Sequence, residues 1–136
     1  MKIFSLSLLF LLFISCGSDT VVNNCFQNFT FSDVIDLDNA EFVDLQVPGS
    51  DVIFSRAGRN ILIIRRTTTN YKAFDLECPE RNCSTPMTFD DGLKMECSCH
   101  NKEYNSLNGS PIDGEGCLAM EYIVTNIGNN ALQITR

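Results

Sequence analysis

The chain has 136 residues, 44% of them hydrophobic, with seven cysteines, one histidine, no tryptophan and a formal charge of −7. That length is enough for one domain with a sizeable core. The acidic balance excludes a nucleic-acid-binding role and attraction to anionic lipid headgroups, both of which need clustered positive charge.

Met1-Lys2 is a short basic start, and Ile3 to Ile14 is almost wholly apolar. This run is too short to span a bilayer as a folded helix and reads as a secretory signal, residues 1–15. It ends in Phe13-Ile14-Ser15-Cys16, which resembles the lipobox of bacterial lipoproteins, with Phe13 where leucine is commoner. On that reading Cys16 becomes the acylated first residue of the mature chain, and several acyl chains hold it stably to a membrane. The alternative is an ordinary signal with an incidental cysteine. Gly17 rather than Asp follows Cys16, so the expected location is the cell envelope, lipid-anchored at the outer membrane and facing the periplasm. Disulfides are allowed in that compartment. Residues 16–24 are small and polar and read as a tether, leaving 25–136 as the folded domain.

Short strand-like runs follow. Glu41 to Leu45 alternates as a half-buried strand does. Asp51 to Phe54 follows the Pro48-Gly49-Ser50 turn, and Asn60 to Arg65 is an apolar, β-branched run that predicts a central strand buried on both faces. Asn70 to Asp75 is a further strand. Met87 to Met95 holds Asp90-Asp91-Gly92, a hairpin signal. Glu121 to Thr125 and Ala131 to Thr135 flank the polar turn Asn126 to Asn130. Past the signal no stretch has helical periodicity, so the expected class is all-β.

Two short boxes hold the chemistry: Cys78-Pro79-Glu80-Arg81-Asn82-Cys83 and Cys97-Ser98-Cys99-His100. Cys16 aside, six cysteines remain, and six allow fifteen full pairings, among which sequence alone does not choose. Cys78, Cys83, Cys97 and His100 also form a Cys3His set with plausible zinc spacing, although thiols in an oxidising compartment more often pair with each other. With His100 the single histidine and adjoining Cys99, a Cys–His–Asp arrangement finds little support. Asp36, Asp38, Asp90 and Asp91 read as turn and surface acids. The sequons at Asn28, Asn82 and Asn108 read as chance in a bacterial lipoprotein.

The two boxes resemble the Rieske pattern of Cys-x-His, a gap of about sixteen residues, then Cys-x-x-His. The resemblance extends to Tyr71-Lys72-Ala73-Phe74-Asp75, to Tyr104-Asn105 and to Gly109 through Val124. The chain is also similar to small Rieske-like lipoproteins of the Bacteroidetes type. The resemblance implies antiparallel sheets carrying a two-loop cluster-binding subdomain at about 76–112. It implies a 2Fe–2S cluster held by Cys78, Cys97 and His100, with a disulfide between Cys83 and Cys99. Cys25 and Cys117 are then left over, to pair with each other or to stay free and buried. Three departures stand out. Glu80 occupies the place of the first histidine, as an anionic fourth ligand or as a solvated loop acid, and Asn101-Lys102 stand where the family has Gly-Ser. Two roles follow as expectations. One is an electron-transfer protein with an altered ligand set, serving an unknown redox partner. The other is a cluster-less module held by disulfides, with Cys78 and Cys97 joined as well, that binds a periplasmic protein. Neither is a stand-alone enzyme.

Overall fold

The computed structural model describes residues 22–23, 25–26, 28–90 and 92–136. The expected signal and the acylation site Cys16 lie outside the described residues. Among the described residues eleven strands run in chain order: β1 Val22–Asn23, β2 Ser32–Asp36, β3 Asp51–Arg56, β4 Arg59–Arg65, β5 Tyr71–Asp75, β6 Thr88–Asp90, β7 Lys94–Cys97, β8 Lys102–Asn105, β9 Gly116–Cys117, β10 Glu121–Gly128 and β11 Ala131–Thr135. The one helical element among the described residues is a 3-10 turn at Val43–Gln46. The class is all-β, in antiparallel, curled sheets.

The main sheet has the order β2-β11-β10-β5-β4-β3. Its curl comes from β10, which pairs with β5 only through Glu121 and Tyr122 and then with β11 from Ile123 onward. Tight hairpins set the register. Ala57 and Gly58 join β3 to β4, and Asn129 and Asn130 join β10 to β11, all four with positive φ as two-residue type I′ turns require. A second sheet, β6-β7-β8, stands apart from the first. β1 pairs in parallel with β9, so Val22 and Asn23, expected in the tether, belong to the fold.

Two cores share the β4–β5 hairpin. Alternation along β4 sends Ile61 and Ile63 into one core and Leu62 and Ile64 into the other, and Ala73 and Phe74 divide in the same way. The first core lies inside the curled sheet, with Ile35, Phe42, Leu45, Phe54, Leu132 and Ile134. The second lies between the main sheet and β6-β7-β8, and Met87, Met95, Tyr104, Cys78 and Cys97 fill it.

One expected strand is absent. Glu41 to Leu45 forms turns and the 3-10 helix, closed by bonds from the Leu45 amide to Phe42 and from the Val47 amide to Asp44. Phe42 and Leu45, three apart, are the residues that reach the core, while Val43 is about half exposed. That spacing suits one helical face and not a pleat. β2 and β8 were missed for the opposite reason. Each is short and polar, and each is held by its neighbour strand more than by its own pattern.

Candidate functional site

The two boxes lie at one end of the second core, on facing loops. The first loop leaves β5 at Leu76 and returns at Met87. Its ends are clamped by the Leu76 amide on Asn60 (2.9 Å) and the Met87 amide on Leu76 (2.7 Å). The second turns from β7 into β8, where the amides of His100 and Asn101 both reach the Cys97 carbonyl, at 3.2 and 2.8 Å. Asn101 sits at φ 53°, a left-handed conformation that asparagine tolerates and glycine takes freely.

Disulfides join the loops twice: Cys78 bonds Cys97, and Cys83 bonds Cys99. The first is fully inside, with Cys78 0% and Cys97 1% exposed. The second faces outward, since Cys99 is exposed and Cys83 half-buried. The sulfurs of Cys78, Cys83 and Cys97 lie within 4.8 Å of one another. Thr85 carries its carbonyl oxygen against two of them, 3.4 Å from Cys83 and 3.8 Å from Cys78. A third bond, Cys25 to Cys117, ties the segment after β1 to β9.

The ligand set expected from the boxes is not assembled. Cys78 and Cys97 spend their sulfurs on each other. His100 is exposed, and its Nε2 lies 2.6 Å from Asn82 Oδ1 on the first loop. Glu80 reaches to β9. Its Oε1 accepts from Lys102 Nζ and from the Cys117 amide, each at 3.3 Å. Its Oε2 lies 3.5 Å from the Cys117 sulfur, which is bonded to Cys25 and has no proton to give. Lys102 also reaches Asp113 at 3.6 Å. Gly116 passes beneath this pair so closely that a Cβ would stand 2.6 Å from Lys102 Nζ and 2.7 Å from Glu80 Oε1. Glu80 and Lys102, two of the three departures from the pattern, are therefore partners in one ion bridge across the tip.

Sequence reasoning missed two polar features. Asp75 is buried and accepts from Arg59 (2.7 Å) and from the Tyr122 hydroxyl (2.7 Å), while its other oxygen takes the Glu77 amide (2.8 Å). Burial first, then the bond to Asp75, raises the Tyr122 phenol far above its usual range. Arg59 also covers the Phe29 ring at 4.0 Å. A cleft of about 320 Å3 opens beside this network, lined by Arg59, Asn60, Asp75, Glu77, Cys83 and Thr85, with its guanidinium already committed to carboxylates. The second feature is Tyr104, whose hydroxyl is buried without a hydrogen-bond partner among the described residues. Burial, then the charges of Glu80 and Asp113, push its phenol up to about 12. The run Tyr71 to Asp75 carried a signal for Asp75, an acid closing an apolar strand, but nothing local named its partners.

The model of the Rieske [2Fe-2S] domain matches residues 36–122. Two solved structures share the fold. One is the Escherichia coli protein NirD, 12% identical, with a TM-score of 0.50 over 79% of this chain and 98% of that one. The other is a protein from Mycobacterium tuberculosis described as an NADH-dependent nitrite reductase small subunit, 12% identical, with a TM-score of 0.51 over 80% of this chain and 97% of that one. No curated protein sequence matches the chain.

A Rieske domain implies a 2Fe–2S cluster. Such a centre needs two free thiolates on one iron and two neutral nitrogens on the other. Here both thiols are consumed in a bond, the carboxylate that replaces one imidazole is paired with a lysine, and a single imidazole is present. As folded, these residues do not fit the cluster.

Proposed function

We propose that this chain, which belongs to the Rieske [2Fe-2S] domain family, works as a disulfide-held Rieske-fold module in which the cluster site has become a structural tip. The observation that carries this is the bond between Cys78 and Cys97, sealed inside the second core. The Glu80–Lys102 bridge supports it, because a ligand carboxylate would have to leave that lysine. The module is tethered at the cell envelope through acylated Cys16 and presents its tip to a periplasmic protein.

Electron transfer by an altered iron–sulfur centre is the second reading. What favours it is the family match together with three sulfurs gathered within 4.8 Å, two of which, Cys78 and Cys97, reduction of their shared bond would release as metal donors. Zinc on Cys78, Cys83, Cys97 and His100 would need the Cys83–Cys99 bond reduced as well. One experiment separates the three. Protein purified anaerobically is analysed for iron, acid-labile sulfide and zinc, and its visible spectrum is recorded before and after dithionite. The module predicts a colourless protein free of all three. Two irons and two sulfides per chain, with absorption bleached by dithionite, would overturn it in favour of the carrier. The anchor is checked separately by the intact mass of the mature protein; an unmodified N-terminus elsewhere than Cys16 removes it.

A further inference from the structure

Two interloop disulfides, one exposed and one buried, stand within reach of each other through Cys83. We propose that they form a thiol–disulfide relay, so that the tip takes two electrons from a dithiol protein or peptide through its outer bond and stores the change at its inner one. The inference rests on the cluster-free reading and goes beyond it, since a purely structural tip would have no exchange chemistry.

The geometry orders the steps. Cys99 is the exposed residue of the outer bond and the one that an incoming thiolate meets first, whereas Cys78 and Cys97 are closed to solvent. Attack on Cys99 forms a mixed disulfide there and releases Cys83 as a thiolate. The Cys83 sulfur lies within 4.8 Å of both inner sulfurs and shares the Thr85 carbonyl with Cys78. It attacks Cys78: the Cys78–Cys97 bond breaks, a Cys78–Cys83 bond forms, and Cys97 leaves as thiolate. The second thiolate of the partner then attacks its own sulfur in the mixed disulfide, and Cys99 is released. The partner dithiol has become a disulfide. This chain has gained two electrons and two protons, carried as thiols on Cys97 and Cys99. An exchange of this kind runs through thiolate attack on a disulfide sulfur at every step, so access decides which bond is struck first.

The product differs in architecture as well as in redox state. Before the relay both bonds cross from one loop to the other. Afterwards the remaining bond lies inside the first box, and the second loop is held only by contacts such as Glu80–Lys102 and Asn82–His100. Reduction therefore unties the two loops while leaving one disulfide in the tip.

The sequence makes the test direct, because Arg81, Lys94 and Lys102 put Cys78, Cys83 and the Cys97–Cys99 pair on three separate tryptic peptides. The oxidised full chain is exposed to limiting dithiothreitol, quenched with an alkylating agent, digested and mapped without reduction. The relay predicts that the first two-electron product links Ala73–Arg81 to Asn82–Lys94, with Met95–Lys102 alkylated twice. A first product with Cys83 and Cys99 alkylated and the Cys78–Cys97 link intact would overturn it, although the cluster-free reading would stand. A second arm uses the Cys83→Ser/Cys99→Ser chain, in which the inner bond is expected to be reduced at least tenfold more slowly than in the parent. An unchanged rate would refute the relay, since the inner bond would then be open to direct attack. Iron and sulfide in the purified protein would instead remove the reading beneath both arms.

Discussion

Removal of the Cys78–Cys97 bond offers a quantitative check on the tip. Alone, a crosslink with a sequence separation of 19 constrains the unfolded chain by about 3.2 kcal/mol in the chain-entropy model. The Cys83–Cys99 bond, with a separation of 16, overlaps it. Once one bond exists, the other closes a ring of only about seven residues of chain and adds about 2.4 kcal/mol. Cys78→Ala/Cys97→Ala should therefore lose about 2.4 kcal/mol of constraint, plus about 1 kcal/mol for each buried sulfur removed. Removing the outer pair alone should lose a similar constraint. Removing all four should lose about 5.6 kcal/mol of constraint, so the quadruple variant should exceed the sum of the two pairs by about 0.8 kcal/mol. Packing enters that difference only through the contact of Cys83 with the inner sulfurs. Urea unfolding of the unreduced proteins, with disulfide content verified by mass, measures it. A coupling indistinguishable from zero would mean that Cys78 and Cys97 are not bonded in the folded protein, and the cluster-free reading would lose the observation that carries it.

Three further outcomes are expected. Glu80→Gln and Lys102→Met should each destabilise modestly, and a double-mutant cycle should give a coupling of about 1 kcal/mol, discounted for the partial exposure of both groups; a coupling near zero would dissolve the bridge across the tip. Tyr104→Phe should be neutral or stabilising by up to about 1 kcal/mol, because it deletes a buried hydroxyl without a partner. The parent phenol is raised to about 12, so its contribution is whole below the ordinary value near 10 and is lost as pH rises through 12; the variant should lack that alkaline loss in unfolding curves taken across this window. Asp75→Ala should cost about 3–5 kcal/mol in denaturant unfolding, because it leaves Arg59 and the Tyr122 hydroxyl without their buried acceptor.

The all-β class and the strands β3, β4, β5, β10 and β11 were legible because each carries its own signal. β4 is the plainest case: four consecutive apolar residues, Ile61 to Ile64, mostly β-branched and preceded by a turn, suit a strand covered on both faces, and two cores do cover it. Glu41 to Leu45 misled because its pattern over five residues also satisfies an i, i+3 face, and only the position of the first core decides between them. The boxes were legible as a tip, because cysteines at that spacing have few other uses. Spacing alone did not choose the pairing, since six cysteines leave it to the distances between loops; the resemblance implied Cys83–Cys99, which the fold makes, and the cluster-less alternative implied Cys78–Cys97, which it also makes. Nor could local sequence show where Glu80 points, as its partners Lys102 and Cys117 lie 22 and 37 residues away.

Those partners change what the departures from the Rieske pattern mean. Taken singly, a histidine position filled by Glu80 and a small-residue position filled by Lys102 look like two independent losses. In the fold they are one arrangement, a carboxylate and an ammonium set over the bare backbone of Gly116, and the same carboxylate holds the Cys117 amide. A lysine at position 102 opposite a neutral ligand would leave its charge half-buried, with Asp113 as its remaining counter-charge among the described residues. Glu80 supplies the nearer counter-charge and fixes the first loop to β9, hence to the Cys25–Cys117 bond. The inner disulfide performs the corresponding task in the apolar half of the tip, where Met87 and Met95 pack around sulfur. Each element that a metal would hold together is held here by a bond this chain supplies for itself. On the cluster-free reading the loops keep their places without iron, through the two interloop disulfides and the Glu80–Lys102 bridge, and the tip's remaining chemistry is that of sulfur.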